Sequence, residues 1–307
     1  MKRSVIRHGP ATLIVSLPSK WAKERGLSPG SEVDVEPQGN KLIITTEEGM
    51  VTHELHLDVS TLSPFMITRL LARSYQKGYD LMHLHYTDRE SMHTIREKTT
   101  ELLGFDIVEE DKNNCTIQAL AKSINIDFDN ALRRSFYRVL ENARICQEAY
   151  EKNDTEALEG IWESDLDVNK MTYFCLRTLA KGMVSGHEVF VLYHLIETLE
   201  DLGDEIKKLA RDLVKSKLKN SFVEKKLKIM VELTENVINF FYSPKKEGAV
   251  KVFDLVAELN SLEDLPKNIS KELLAAVIHL HRIADYLYVY AGMRLDTIKE
   301  LKSEVKA

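Results

Sequence analysis

The second half of the chain constrains the fold most, because from Asp127 onward it is almost entirely helical in pattern. Apolar residues recur there at the three- and four-residue spacing that places them on one face of a helix. Turn-forming breaks separate segments near 129–152, 155–183, 187–216, 219–242, 245–263 and 269–301. Short connections of this kind join antiparallel neighbours, so the sequence predicts one or two helical bundles.

A weak internal repeat favours two bundles. LYHLIETLEDLGDEI in the third helical segment resembles LLAAVIHLHRIADYL in the last, about 81 residues later. Two three-helix bundles in tandem account for both the repeat and the number of segments. The chain is therefore predicted to be multidomain and mainly α.

Two smaller regions precede the helices. Residues 1–49 contain short β-branched runs around His8-Gly9-Pro10, a short helix after Pro18, and a hairpin around Pro37-Gln38-Gly39-Asn40. Residues 50–125 alternate strand and helix patterns in the order βαβαββ, which predicts a small ferredoxin-like or related α/β unit. Together with a helical region at 126–307, the expected organisation is three domains.

The charge distribution separates the N-terminus from the rest. The whole chain has a formal net charge of −6, which argues against nucleic acid covering the whole surface. Up to residue 25, however, only Glu24 is acidic, whereas six residues are basic: Lys2, Arg3, Arg7, Lys20, Lys23 and Arg25. A small basic module in an acidic chain predicts contact with a polyanion. Fewer than fifty residues without a disulfide cannot easily bury a core, so dimerisation is also expected.

The order of elements in this basic module carries a family resemblance. A basic strand, a glycine, an apolar strand, an LP-x-x-W helix, GLSPGSEVDV and a hairpin follow one another. This order resembles the AbrB/MazE/SpoVT swapped-hairpin DNA-binding family, although Ser31-Glu32 stands where an acidic residue usually follows the glycine. The resemblance implies a homodimer that binds DNA. The residues expected at DNA are Arg3, Arg7 and His8 in the groove, with Lys2, Thr12, Lys20 and Lys23 on the backbone; a solvated surface or a protein-binding surface is the alternative.

Carboxylates four residues apart recur in the helical region. Glu163 and Asp167 form one pair, Glu200 and Asp204 form a second, and His281 with Asp285 repeats the spacing. Side chains at this spacing share a helical face and can reach one cation, since oxygen ligands with an occasional imidazole suit Mg²⁺, Mn²⁺, iron or zinc. The alternative for these acids is a solvated helix face, and for His281 a core or partner-bonded histidine.

These stretches resemble the PhoU family of phosphate-uptake regulators. LEDLGDEI at 199–206 and ESDLDVNKMTYFCLR at 163–177 match its E/D-x-x-x-D motifs, while LHRIADYL at 280–287 has His281 in place of the usual glutamate. The resemblance implies tandem three-helix bundles and a metal site whose ion (Fe, Zn, Mn, Mg or Ni) is open. The motif in KVFDLVAELN is degraded to Asp254 and Glu258 in reversed order, so the second site is expected to be altered or lost.

Two further histidine patterns are weak alone. His83 and His85 share one strand face but lack a third ligand in sequence, and three protein ligands are the usual minimum for zinc. Glu90 and His93 form a single ExxH pair, whereas a di-iron bundle needs two such pairs on facing helices.

The expected function combines both resemblances. No GxSxG, P-loop or Cys-His arrangement is present, so an enzyme is not expected. The hypothesis is a DNA-binding transcriptional regulator of phosphate uptake and homeostasis, as in archaeal PhoU-type regulators. The alternative is a protein-interaction regulator of a phosphate ABC transporter ATPase or a signalling kinase, with the N-terminal module only dimerising. The sequence lacks a signal-peptide pattern and an apolar run of about 18 residues, so a cytoplasmic protein without membrane insertion is expected.

Overall fold

The computed structural model describes residues 2–38, 41–46, 53–120, 127–184, 188–216 and 219–301. The chain divides into two compact units, Met1–Leu55 and His56–Ala307. The finer boundaries at 49/50 and 125/126 stay predictions.

The first unit has the predicted order of short elements: β1 Ile6–Arg7, β2 Leu13–Ile14, α1 Ser19–Glu24, β3 Asp34–Gln38 and β4 Lys41–Thr45. Strands β1 and β2 pair antiparallel, with Arg7 opposite Leu13. Gly26, with φ +67°, follows α1 in the left-handed region that glycine adopts without strain. Strands β3 and β4 form the predicted hairpin; its turn residues Gly39 and Asn40 lie outside the described residues.

The α/β layer follows the predicted βαβαββ order: β5 Glu54–Asp58, α2 Pro64–Gln76, β6 Leu81–His85, α3 Arg89–Thr99, β7 Phe105–Glu110 and β8 Asn114–Ala119. The sheet order is β5-β6-β8-β7, and β8 runs antiparallel to both β6 and β7. Side chains of Ser63 and Asp88 cap α2 and α3 by accepting from backbone N–H groups. Ile67, Leu71 and Tyr75, at four-residue spacing on α2, are fully buried.

Six long helices follow: α4 Phe128–Lys152, α5 Thr155–Ala180, α6 Val189–Lys215, α7 Ser221–Tyr242, α8 Lys246–Asn260 and α9 Lys271–Gly292. Three predicted ends were too late. Helix α5 stops before Gly182, which has φ +69°, and α8 stops before Ser261, whose backbone is extended. Helix α9 ends at Gly292, where glycine disfavours helix, and two 3-10 turns replace its predicted extension to 301.

The helices form the two predicted three-helix bundles. Helices α4, α5 and α6 pack on one another, as do α7, α8 and α9. Helix α4 also packs on α7, and α6 on α9, so the two bundles share one continuous apolar core. The predicted fold class is therefore confirmed: a small β-rich unit, an α/β layer and tandem three-helix bundles.

A buried arginine connects the α/β layer to the first bundle. Arg177, on α5, donates to the carbonyl oxygens of Tyr75 at 3.1 Å and Tyr79 at 2.7 Å, and to the carboxylate of Asp80. Its guanidinium also lies over the rings of Tyr75 and Phe105. Burial lowers the pKa of Arg177, which Asp80 partly offsets. Because α2 also packs along α5, the α/β layer and the bundle are held together.

Candidate functional site

The basic residues of the first unit lie on its surface. The β1–β2 loop is closed by the N–H of His8 donating to the carbonyl of Thr12 at 2.9 Å, with Gly9 at φ +82° in the turn. The side chain of Arg7 reaches the carbonyl of Pro10 at 3.5 Å. All seven residues predicted to contact DNA are exposed: Lys2, Arg3, Arg7, His8, Thr12, Lys20 and Lys23. The positive charge of the five lysines and arginines among them is therefore available to an anionic partner, and the DNA contacts of all seven stay a prediction.

The same unit exposes apolar side chains that a stable fold would cover. None of the residues described between 2 and 46 is buried. Large apolar side chains stand in solvent along both short strands, namely Val5, Ile6, Leu13, Ile14 and Val15. A single copy of this module thus lacks an apolar core, as expected for a module of fewer than fifty residues without a disulfide.

In the helical region, Glu200 faces the α/β layer. Its carboxylate is buried and accepts from the hydroxyl of Tyr173 at 3.2 Å and from Arg69 of α2 at 3.5 Å. Burial raises the pKa of Glu200, and the Arg69 guanidinium opposes that shift. One turn earlier, Arg73 of α2 pairs with Glu197. Arg69 and Arg73 of α2 thus neutralise two of the closely spaced carboxylates of α6, Glu200 and Glu197.

Asp204 shares a lysine with an aspartate that sequence reasoning missed. The ammonium of Lys207 lies 2.5 Å from a carboxylate oxygen of Asp204 and 2.5 Å from one of Asp165. Asp165 is 1% exposed, and its Oδ1 has no hydrogen-bond partner. Burial raises the pKa of Asp165, and Lys207 opposes this. Burial alone would lower the pKa of Lys207, but the two carboxylates raise it overall.

Helical phase explains why Asp165 is inside while its predicted neighbours are outside. At 100° per residue, Glu163 and Asp167 each lie about 200° from Asp165 around α5. Glu163 is exposed, and Asp167 forms a half-exposed ion pair with Arg138 at 3.0 Å. The signal for Asp165 was present in sequence, because it is in phase with the apolar Ile161 and Val168.

The structure does not bring Glu163, Asp167, Glu200 and Asp204 into one ligand set. Within the described part of the helical region, no three His, Cys, Asp or Glu side chains place ligand atoms within 4.8 Å of one another. The carboxylate of Asp204 nevertheless interacts electrostatically with those of both Asp165 and Glu200, and it raises the pKa of each. A metal role for the four predicted carboxylates stays a prediction.

The corresponding stretch of the second bundle is less acidic. His281 is half-buried with Nε2 lacking a hydrogen-bond partner, and Asp285 is exposed. Burial and the nearby ammonium of Lys226 lower the pKa of His281. Lys226 itself donates to the carbonyl oxygens of Glu258 and Ser261. A buried lysine beside His281 opposes cation binding there, and the altered second site stays a prediction.

Another ionic cluster joins the two bundles. His279 of α9 contacts two acids of α6, with Nδ1 2.7 Å from Glu205 and Nε2 3.3 Å from Asp212. Glu205 also accepts from Lys208 and Arg282. The sequence motifs pointed to the adjacent Asp204 and to the nearby His281 instead, because only the α6–α9 packing brings the members of this cluster together.

The remaining histidine patterns differ in their surroundings. His93 is exposed on α3 and pairs with Glu97 at 3.6 Å, one turn along the same helix. His83 and His85 lie on β6 with their rings away from the buried side chains of Met82 and Leu84. Among the described residues, no helix is long and apolar enough to cross a bilayer.

Comparison with known proteins bears on both regions. Residues 6–49 match a family model described as antidote-toxin recognition MazE, bacterial antitoxin. The N-terminal module is of the MazE type. Among solved structures, the chain is similar to the phosphate transport system regulatory protein PhoU from Streptococcus pneumoniae, at 19% identity and a TM-score of 0.46, over 55% of this chain and 93% of that one. No curated protein matches the sequence.

Proposed function

We propose that this protein is a non-catalytic, dimeric, DNA-binding transcriptional regulator whose helical region senses or relays phosphate status. The MazE-type module supplies the DNA contact and the dimer. The PhoU-like motifs of the helical region connect the protein to phosphate uptake.

The observation that carries the proposal is the surface of the first unit. Its exposed apolar strands need a second copy of the module, while its acidic content up to residue 25 is limited to Glu24. Pairing two copies through the apolar strands would bring two sets of basic residues onto one dimer. A two-fold arrangement of positive charge is suited to the phosphates of a DNA duplex.

DNA binding is tested by measuring affinity against salt concentration with fluorescence anisotropy. For a real phosphate-contacting interface, log affinity falls linearly with log salt, and Arg7→Ala reduces the slope by about one. The matched control is Arg144→Ala, which removes an exposed arginine of the helical region that pairs with Glu235. Weak binding with no salt dependence, or an equal effect of both substitutions, would exclude the DNA-binding role.

The proposal retains a metal site at Glu200 and Asp204. The donor set suits Mg²⁺, Mn²⁺ or Fe²⁺, and the unpartnered oxygen of Asp165 lies beside it. An ion binding there has to displace the ammonium of Lys207 from Asp204. Bound metal would supply positive charge that holds the α5–α6 acids together in place of that lysine.

Elemental analysis tests this part. The purified protein is compared with the Glu200→Ala, Asp204→Ala double variant and with Glu163→Ala, Asp167→Ala. Loss of metal in the first variant supports the Glu200 and Asp204 assignment, and loss in the second extends it to α5. Equal metal content in all three proteins would refute the assignment.

A second candidate function is a protein-interaction regulator. It is favoured by exposed apolar side chains at the start of α6, where Phe190 is 86% exposed and Tyr193 is half-exposed. The partner would be the ATPase of a phosphate ABC transporter or a signalling kinase, with the MazE-type module serving only for dimerisation. Salt-independent, weak DNA binding together with loss of partner binding in Phe190→Ser would favour this candidate.

A further inference from the structure

One face of the four-stranded sheet is a histidine-lined groove. Met82 and Leu84 of β6 and Ile117 of β8 point into the apolar core, so the intervening residues lie on the opposite face. There a concavity of about 540 Å³ is bordered by three strands. Its polar lining residues are His56, Asp58, His83, His85, Asn114 and Thr116.

The sheet supplies the third histidine that the sequence of β6 lacks. The rings of His56 and His83 are stacked, with centroids 4.5 Å apart and planes 15° from parallel. A ring nitrogen of His56 lies within 4.8 Å of one of His83. His85 follows His83 on the same strand face, so adjacent strands present three imidazoles to one groove.

Strand β8 orients both imidazoles of β6. In the register of the sheet, His83 is opposite Thr116 and His85 is opposite Asn114. Nδ1 of His83 lies 3.2 Å from the Thr116 hydroxyl, and Nδ1 of His85 lies 3.0 Å from the Asn114 side-chain oxygen. An Nδ1–H donated to Asn114 leaves the Nε2 lone pair of His85 free to bind a cation. Metal-binding histidines are typically fixed by such a bond from the other ring nitrogen.

Carboxylates stand at the same strand positions. Asp58 accepts from the backbone N–H and the hydroxyl of Ser60, which hold its carboxylate in place. Asp58 lines the groove together with His85. Glu54, two residues before His56, lies on the same face of β5 because alternate residues of a strand share a face. Both acids favour a cationic ligand.

We propose that this groove binds one divalent transition-metal ion of the zinc class through His56, His83 and Glu54, whose ligand atoms lie within 4.8 Å of one another, with His85 beside them on the same strand face. Two imidazoles and one glutamate, with an open position for water, form a common zinc donor set. Nitrogen donors select Zn²⁺, Co²⁺ or Ni²⁺ over Mg²⁺. Zinc–nitrogen bonds of about 2.0 to 2.1 Å require the ring nitrogens to approach, which rotation of the exposed His56 side chain permits.

The site is separate from the carboxylates of α5 and α6. Those oxygen donors suit hard ions, whereas the groove offers nitrogen, so the two sites differ in the ions they retain. Ion binding by the groove is also independent of DNA binding. Only a measurement of ion binding by the α/β layer tests it.

The test is Co²⁺ titration of full-length, chelator-treated protein carrying Glu200→Ala and Asp204→Ala, which removes the helical site from the measurement. One equivalent of Co²⁺ with visible absorption of a four-coordinate ion is expected, and Zn²⁺ should displace it. His83→Ala, His85→Ala should lower affinity at least tenfold, as should His56→Gln. Lowering the pH to about 5 should weaken binding, because the imidazoles must be unprotonated.

His93→Ala is the matched control, since it removes an exposed histidine of the same layer that lies on α3. Circular dichroism checks that each variant is folded, and His56→Gln keeps the test usable if the double variant is not. Unchanged Co²⁺ affinity in folded His56→Gln and His83→Ala, His85→Ala proteins would overturn the proposal. So would an absence of Co²⁺ binding by the parent protein, or an equal loss in His93→Ala.

Discussion

At the scale of single residues, Gly203 and Asp165 depend on each other. A Cβ at position 203 would lie 2.8 Å from the Asp165 Oδ1 and 3.4 Å from a methyl group of Val168. The Asp165 carboxylate has little freedom to move, because it is buried and bound to Lys207. The glycine in LEDLGD therefore makes room for a buried charge between α5 and α6.

Substitution of two helical glycines, Gly160 and Gly203, separates this packing role from helix propensity. Gly160→Ala, on α5 with nothing within 4 Å of the new Cβ, should stabilise the protein by about 0.5 to 1 kcal/mol. Gly203→Ala should instead destabilise it by roughly 1 to 3 kcal/mol, because the new methyl group overpacks the contact. Chemical denaturation followed by circular dichroism measures both. Equal stabilisation by the two substitutions would contradict the close contact.

Glu205 gives a residue-level prediction for pH. Burial alone would raise its pKa, but hydrogen bonds from Lys208 and His279 lower it overall. A carboxyl group whose pKa is lowered on folding contributes stability above its ordinary pKa of about 4.3, and this is lost as pH falls through the folded value. Glu205→Gln should therefore cost about 2 kcal/mol at pH 7 and much less near pH 3.

Melting temperatures of wild type and Glu205→Gln across that pH range measure the effect. Glu232→Gln is the control, because Glu232 forms a half-exposed ion pair with Lys251 and should show only a small difference at any pH. A Glu205→Gln deficit that stays constant down to pH 3 would mean that the charge of Glu205 does not stabilise the fold.

At the scale of elements, α5 contributes to two layers. Its first half carries Asp165 against α6, and its last turns carry Arg177 into the α/β layer. The second contact depends on one guanidinium that satisfies two carbonyl oxygens and a carboxylate at the end of α2. Packing of α2 along α5, with Arg69 and Arg73 reaching α6, then fixes the layer on the bundle.

Removal of Arg177 should weaken this connection. Arg177→Ala leaves buried acceptors without a donor, so the protein should lose about 3 kcal/mol of stability. Lys181 also pairs with Asp80, so it can offset only the part of this loss that comes from the Asp80 carboxylate. Arg144→Ala, which breaks an exposed ion pair, should cost under about 1 kcal/mol. Denaturation midpoints compare the two variants, and similar losses would contradict the assigned role of Arg177.

At the scale of the whole molecule, the two compact units differ in how many of their apolar side chains are buried. In the unit His56–Ala307 the helical bundles share a continuous apolar core and the α/β layer has buried side chains of its own, whereas the described residues of Met1–Leu55 include no buried side chain. The apolar surface on β1 and β2 is therefore expected to associate with a second copy. Because the basic residues lie on the same module, the proposed DNA affinity is expected to depend on this assembly.

Leu13→Asp should convert the dimer to monomer and abolish measurable DNA binding, because a charge would be placed in the shared apolar strands. Ile278→Asp, at an apolar position on α9 that is also exposed, should leave both properties unchanged. Sedimentation velocity gives the oligomeric state, and anisotropy gives DNA affinity. A wild-type protein that sediments as a monomer at working concentration would refute the dimer.

The sequence by itself determined the elements and their order. Strand alternation, helical periodicity and the punctuation by glycine, proline and capping residues are local, so β1 to β8 and α1 to α9 were predictable to within a few residues, apart from the end of α9. The basic N-terminus and the four-residue spacing of Glu200 and Asp204 were equally visible.

Tertiary structure alone decided which side chains meet. Glu200 of α6 pairs with Arg69 of α2, and Asp165 of α5 pairs with Lys207 of α6. His279 of the second bundle contacts Glu205 of the first. His56 joins His83 only because β5 lies beside β6 in the sheet. Such contacts depend on the packing of distant elements, which periodicity along one segment does not encode. Glu200, Asp204 and His83 could therefore be named as candidate ligands from sequence, whereas Asp165 and His56 were missed.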